Sequence, residues 1–148
     1  MTYSIVARDP ETGQYGVAVA SRFFAVGAVV PHIRGGKCAV ATQAFVNPLL
    51  GLEGAARMAQ GETAQVVLED MIARDDGRLQ RQIHMIDSAG ISAAFTGADC
   101  IDWAGHLIGE GVSVAGNMVA GAQVVAETLK AYQAHMNEPF AERLLTAM

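Results

Sequence analysis

Met1-Thr-Tyr-Ser-Ile-Val-Ala-Arg-Asp-Pro-Glu-Thr-Gly-Gln-Tyr-Gly-Val-Ala-Val-Ala-Ser-Arg22 is the stretch from which the rest of the chain can be read. Tyr3 to Ala7 is rich in residues that favour strands. Asp9-Pro10 followed by Gly13 is turn chemistry, since Pro presets φ and Gly accepts positive φ. Tyr15 to Ser21 is a second run of small and β-branched residues. Together they predict a β-hairpin whose first strand starts almost at the amino terminus. Thr2 stands at the mouth of that strand, one peptide bond from being the terminal residue. A Thr hydroxyl is a weak nucleophile until a base takes its proton. With Met1 removed, the α-amine of Thr2 would be that base, because its ordinary pKa lies near ~8.

The chain continues with Phe23 to Pro31, a Gly-interrupted apolar segment that reads as a bent strand or a strand and loop. His32 to Lys37 reads as a turn and Cys38 to Thr42 as a short buried strand. Asn47-Pro48 predicts a helix start, with Asn as N-cap and Pro at the first helical position, and Gln60-Gly61 a stop. Thr63 caps a second helix whose Val67, Leu68, Met71 and Ile72 share one face. Arg81 to Asp87 and Ile91 to Thr96 form a second hairpin, and Gly97 to Gly111 reads as loop-rich. Val112 to Ala115 is a strand. A helix from about Met118 to His135 and a last one from Glu138 complete the order of strands, two helices, strands, two helices. That order predicts layered α+β packing in one domain spanning 1–148.

Composition sets bounds on function. With 148 residues, the chain is long enough to bury roughly 70% of its unfolded surface. A net charge of −5, with no basic run, argues against nucleic acid and anionic membrane as partners. No apolar run reaches membrane-spanning length and no secretion signal opens the chain, so the expected location is cytoplasmic. Cys38 and Cys100 have no metal-like spacing, and neither a metal nor another cofactor is expected.

The wording of the sequence carries a resemblance. Thr-Tyr-Ser-Ile-Val-Ala-Arg-Asp-Pro-Glu-Thr-Gly (2–13), Gly-Val-Ala-Val-Ala-Ser-Arg-Phe-Phe-Ala-Val-Gly-Ala-Val-Val-Pro (16–31) and Ala-Val-Ala-Thr-Gln-Ala-Phe-Val-Asn-Pro (39–48) are its longest phrases. Ala-Phe-Thr-Gly-Ala (94–98), Trp-Ala-Gly-His (103–106) and Gly-Asn-Met-Val-Ala-Gly (116–121) follow. They resemble a bacterial and archaeal domain-of-unknown-function family assigned to the N-terminal-nucleophile (Ntn) hydrolase superfamily. The resemblance implies a four-layer αββα sandwich, two stacked antiparallel sheets between helix layers. More distantly, the chain is similar to proteasome β-type subunits. Thr2 fits their opening Thr, Ser21-Arg22 the end of strand two, Lys37 their Lys, and Gly116-Asn117 the turn before the third helix, with Asn in place of Ser. Their Asp before Ser-Arg is absent here, where Ala20 stands.

Two functional expectations follow from the resemblance and the residues. In the first, an amidohydrolase acts on a small amide or peptide: Thr2 attacks, Asn117, Thr42 or Gln43 helps hold the oxyanion, and Lys37 or Arg22 tunes charge, with Ser21 and Arg22 beside the substrate. In the second, the same scaffold is non-catalytic and binds a small ligand or serves in assembly. Asn117 is also read as the N-cap of the long helix, His84 as structural, and Asp99-Cys100 with His106 as residue types suited to a thiol or metal site. Members of the family continue past the final helix into further strands, whereas this sequence stops at Leu144-Leu-Thr-Ala-Met148. Uncovered sheet surface would then be buried by a second copy, a homo-oligomer.

Overall fold

The computed structural model describes residues 1–148. The fold is mixed α+β, with two four-stranded antiparallel sheets and four helices. The first sheet has the order β2(Tyr15–Ser21)-β1(Thr2–Arg8)-β8(Val112–Asn117)-β7(Gly105–Gly109). The second has the order β3(Pro31–Arg34)-β4(Cys38–Ala44)-β5(Arg81–Ile86)-β6(Ser92–Thr96). The sheets face each other, β1 over β4 and β8 over β5. Helices α1(Pro48–Ala59) and α2(Ala64–Arg74) pack on the second sheet, and α3(Ala122–Ala134) and α4(Phe140–Ala147) on the first.

The starts of α1 and α2 follow from their caps. The Asn47 side chain accepts from the Leu49 amide at 3.1 Å and Pro48 opens α1. Thr63 Oγ1 accepts from the Val66 amide at 3.4 Å. Three expectations are corrected. Helix α3 begins at Ala122, not near Met118, and its N-cap is Gly121, so Asn117 is the last residue of β8 and caps nothing. His32 to Lys37 is not all turn, since Pro31–Arg34 is an edge strand. The stretch 97–111 contains β7, paired along β8 from Gly105 to Gly109.

The period-2 alternation of each strand divides the molecule into three packed layers. Ile5 and Ala7 of β1 and Val112 and Val114 of β8 meet Val125, Tyr132 and Leu144 of α3 and α4. Cys38, Val40, Ile83 and Met85 meet Met58, Val67 and Met71 of α1 and α2. The residues between these positions point into the space between the sheets, and that layer changes character along its length. At one end it is apolar, with Val6, Ala39, Ala41 and Ile86 sealed by Val17 and Val19. Toward Thr2 it is polar, with Ser4, Gln43, Gln82, His84, Ser113 and Asn117 all at most 1% exposed. A dry interior tolerates such groups only when each is hydrogen-bonded.

Candidate functional site

Thr2, the first residue of β1, lies directly across from Ser21 on β2 and from Asn117 on β8. Its side chain is mostly buried, 8% exposed, and it lines a cavity of about 250 Å³ together with Met1, Ser21, Arg22, Gln43 and Val46. Thr2 Oγ1 and Ser21 Oγ are 2.9 Å apart. Ser21 spends its one proton on the Met1 carbonyl at 3.0 Å and accepts from the Phe23 amide at 3.0 Å. It therefore accepts from Thr2, and the Thr2 hydroxyl is the donor.

Behind Thr2 the polar interior is a chain whose directions are fixed. Main-chain carbonyls can only accept, so Gln82 Nε2 is anchored toward Gly116 O (2.9 Å) and Gly105 O (3.1 Å), and Gln43 Nε2 toward Ala115 O (3.3 Å). Gln82 Oε1 then accepts from Gln43 Nε2 at 2.8 Å and from Asn117 Nδ2 at 3.0 Å. Gln43 Oε1 accepts from Ser4 at 2.6 Å, so Ser4 accepts from His84 Nε2–H at 2.8 Å. His84 Nδ1 is left to accept from Ser113 at 3.1 Å. Thr96 Oγ1 lies 3.0 Å from Gln82 Nε2 and 2.8 Å from His106 Nδ1. Burial, helped by the nearby His106, lowers the pKa of His84 to about 3, and burial lowers that of His106. Both rings are neutral near pH 7, as the network requires.

One atom of this chain has no partner. Asn117 is 1% exposed, its Nδ2 is held by Gln82, and its Oδ1 has no hydrogen-bond donor. The fixed orientation of Gln82 prevents the Asn117 amide from turning over, because Oδ1 would then meet Oε1. Asn117 also lines a second cavity of about 320 Å³ with Phe45, Gln80, Asp99 and Cys100. Ala44 and Met118 border both cavities and both have left-handed backbones, φ 67 and 52. The third such residue, Ala25 (φ 53), lies in the loop over the first cavity, next to its lining residue Val26. Non-glycine residues in this region cost about 1–3 kcal/mol each and concentrate at functional sites.

The structure brings together Thr2, Ser21, Arg22 and Gln43 in one cavity, with Asn117 beside Thr2 on the neighbouring strand. It does not bring Lys37. That residue is exposed in the β3–β4 turn, six positions before Gln43 on β4, about 20 Å away at strand rise. Thr42 also stands apart, on the helix-facing side of β4 with its hydroxyl donating to Asn47 O at 3.4 Å. Gln43 is present but committed, since its Nε2 serves Gln82 and Ala115. Asn117 donates from Nδ2 to Gln82, and its Oδ1 has no donor. Arg22, exposed at the rim, is the charged side chain of the first cavity's lining. Asp99, Cys100 and His106 do not converge. The Cys100 thiol donates to Arg81 O, whereas His106 turns to Thr96. Sequence reading placed His84 as structural but missed its buried partners Ser4, Gln82 and Ser113 and the half-buried Thr96. Their one signal was polar residues at matching inward positions near the same ends of adjacent strands.

No helix is long and apolar enough to cross a membrane. No curated protein matches the chain. The crystal structure of protein SPO2555 from Silicibacter pomeroyi, assigned to DUF1028, is similar to it with a TM-score of 0.94 and 31% identity. The match covers 99% of this chain and 67% of that one. Residues 2–148 match the family described as a family of unknown function, DUF1028, and the chain belongs to that family.

Proposed function

We propose that the chain is an N-terminal-nucleophile amidohydrolase, with the four-layer αββα arrangement of that superfamily and Thr2 as nucleophile, acting on a small amide or peptide. The observation that carries the reading is the Thr2–Ser21–Met1 chain of hydrogen bonds at the cavity. While Met1 is attached, its carbonyl holds the Ser21 proton, and Ser21 in turn takes the Thr2 proton. The nitrogen of Thr2 is then an amide and cannot serve as a base. Removal of Met1 removes that acceptor and creates an amine. Ser21 is then free to donate toward Thr2 Oγ1, while the Thr2 hydroxyl proton passes to the α-amine.

Thr2 Oγ1 attacks the amide carbon, and its proton moves to the α-amine. The tetrahedral oxyanion is met by the Arg22 guanidinium at the rim of the cavity. The ammonium returns the proton to the leaving nitrogen as the C–N bond breaks. Water, deprotonated by the same amine, hydrolyses the ester to release the acid and restore Thr2.

The test is intact-mass measurement on protein from its native source, then amide-substrate screening of the Met1-free form and its Thr2→Ala variant. Activity confined to the Met1-free form and abolished by Thr2→Ala is the expected result, since nucleophile and base act as one unit. A native chain that keeps Met1, or an activity that survives Thr2→Ala, overturns the proposal. The second reading, a non-catalytic ligand-binding scaffold, is favoured by one observation. Lys37, the lysine expected to assist Thr2, is at the far end of β4.

A further inference from the structure

The second cavity is chemically unlike the first. Asn117 is one of its lining residues, and the amide oxygen of that residue is buried and without a donor. An acceptor in that state has lost its water without gaining a partner, and native structures hold few such atoms. Here it is enforced by the main-chain carbonyls that fix Gln82, and through Gln82 the Asn117 amide. Asp99, exposed and outside every ion pair of the molecule, adds a carboxylate to the lining. The nearby Arg81 guanidinium is neutralised by Asp75 at 2.8 Å and lies 5.2 Å from the Phe45 ring, so it offers no free charge against a cation. Phe45 and Ile101 supply apolar surface. A buried acceptor without a donor, a carboxylate and apolar walls describe one class of guest.

We infer that this cavity binds a primary ammonium carried on a small apolar body, with an N–H donated to Asn117 Oδ1. The guest's charge is balanced by Asp99 and its body lies against Phe45 and Ile101. The left-handed Ala44 and Met118 hold the wall between this cavity and that of Thr2. Binding here does not depend on the hydrolase reading, because no atom of Thr2 lines this cavity.

Cys100 provides the readout. It is part-buried and lines the cavity, whereas Cys38 is fully buried and serves as the internal control. The probes are benzylammonium, benzyltrimethylammonium and benzyl methyl ether at millimolar concentration. They share a ring, but only the first donates N–H. N-ethylmaleimide modification of Cys100 is followed by mass spectrometry. Benzylammonium should slow it at least threefold, the other two less than 1.5-fold, and Thr2→Ala should leave that difference intact. Asn117→Leu, of similar volume, should abolish the protection. In parallel, benzylammonium titrated into unmodified protein should shift the Asn117 side-chain amide resonances saturably, a measurement that needs no variant. Equal protection by all three probes, protection that survives Asn117→Leu, or an unmoved Asn117 amide overturns the inference. Loss of protection in Thr2→Ala would instead place the guest in the first cavity and overturn it as well.

Discussion

His84 is the residue through which the polar interior can be tested by a change of pH alone. It is fully buried, held neutral between Ser4 and Ser113, with its pKa lowered from 6.5 to about 3. A His whose folded pKa is depressed is protonated more readily in the unfolded chain. Stability is therefore lost as pH falls below the unfolded value near 6.5, and the loss continues until the folded value is reached. Each pH unit inside that window costs about 1.4 kcal/mol for one proton. Between pH 7 and pH 5 the His84 share integrates to about 2 kcal/mol, most of it below pH 6.5. For a chain of this size that is a fall in Tm of about 4–8 °C. His106 and His32, whose pKa values burial also lowers, add to the same slope, so the assay compares slopes between proteins. Urea unfolding at pH 7 and pH 5 is measured for the natural chain and for His84→Gln. The variant should lose about 2 kcal/mol of the pH dependence whatever its absolute stability. Direct confirmation comes from the His84 ring protons by NMR, which should not titrate between pH 7 and pH 5. A His84 midpoint above pH 5, or an unchanged slope in His84→Gln, refutes the assignment of a neutral ring bridging two serines.

Other outcomes follow from single contacts. Arg143→Met leaves Asp9 as a buried carboxylate without its cation (3.3 Å in the intact chain) and should cost about 3–5 kcal/mol by chemical denaturation. Thr63→Ala removes the α2 cap and should cost about 1 kcal/mol in the same assay. Ala44→Gly relieves a left-handed backbone (φ 67), so it should be neutral or stabilising by up to about 1 kcal/mol, where Gly in an ordinary strand destabilises. Asn117→Leu loses one hydrogen bond but also removes the unpaired oxygen, and Tm should move by no more than about 4 °C.

Much of the architecture was legible because it is written in short-range chemistry. The hairpin of β1 and β2 could be read from Asp9-Pro10 and Gly13, and Gly13 does adopt positive φ (69). Helices α1 and α2 announced themselves through Asn47, Pro48 and Thr63, each in the role expected. Where local signals were mixed, the reading failed. Met118 and Val119 continue into an apolar run that looks helical, yet the chain leaves β8 through a left-handed Met118 and starts α3 only after Gly121. Strand β7 carries a glycine at each end and sits in a Gly-rich stretch, so its strand character comes from pairing with β8 and not from propensity.

The site was less legible for a physical reason that can be located in Asn117. Its position near Thr2 is readable from likeness of sequence, and the strands do set the two opposite each other. Its chemical role is not, because that depends on which end of its amide is free. Gln82, thirty-five positions away, determines that end. Gln82 is in turn fixed by the carbonyls of Gly105 and Gly116. No local spacing encodes a chain of orientations that runs through both sheets. Gln43 makes the same point: a glutamine at the end of a buried strand looks available to an oxyanion until Gln82 and Ala115 are seen to hold its only donor. The side-chain amides near Thr2 thus support the scaffold and present an acceptor. In the proposed reaction Arg22, the charged side chain of the Thr2 cavity, meets the negative charge that develops there, so Arg22→Met should lower kcat/KM of the Met1-free protein on an amide substrate and leave its Tm unchanged.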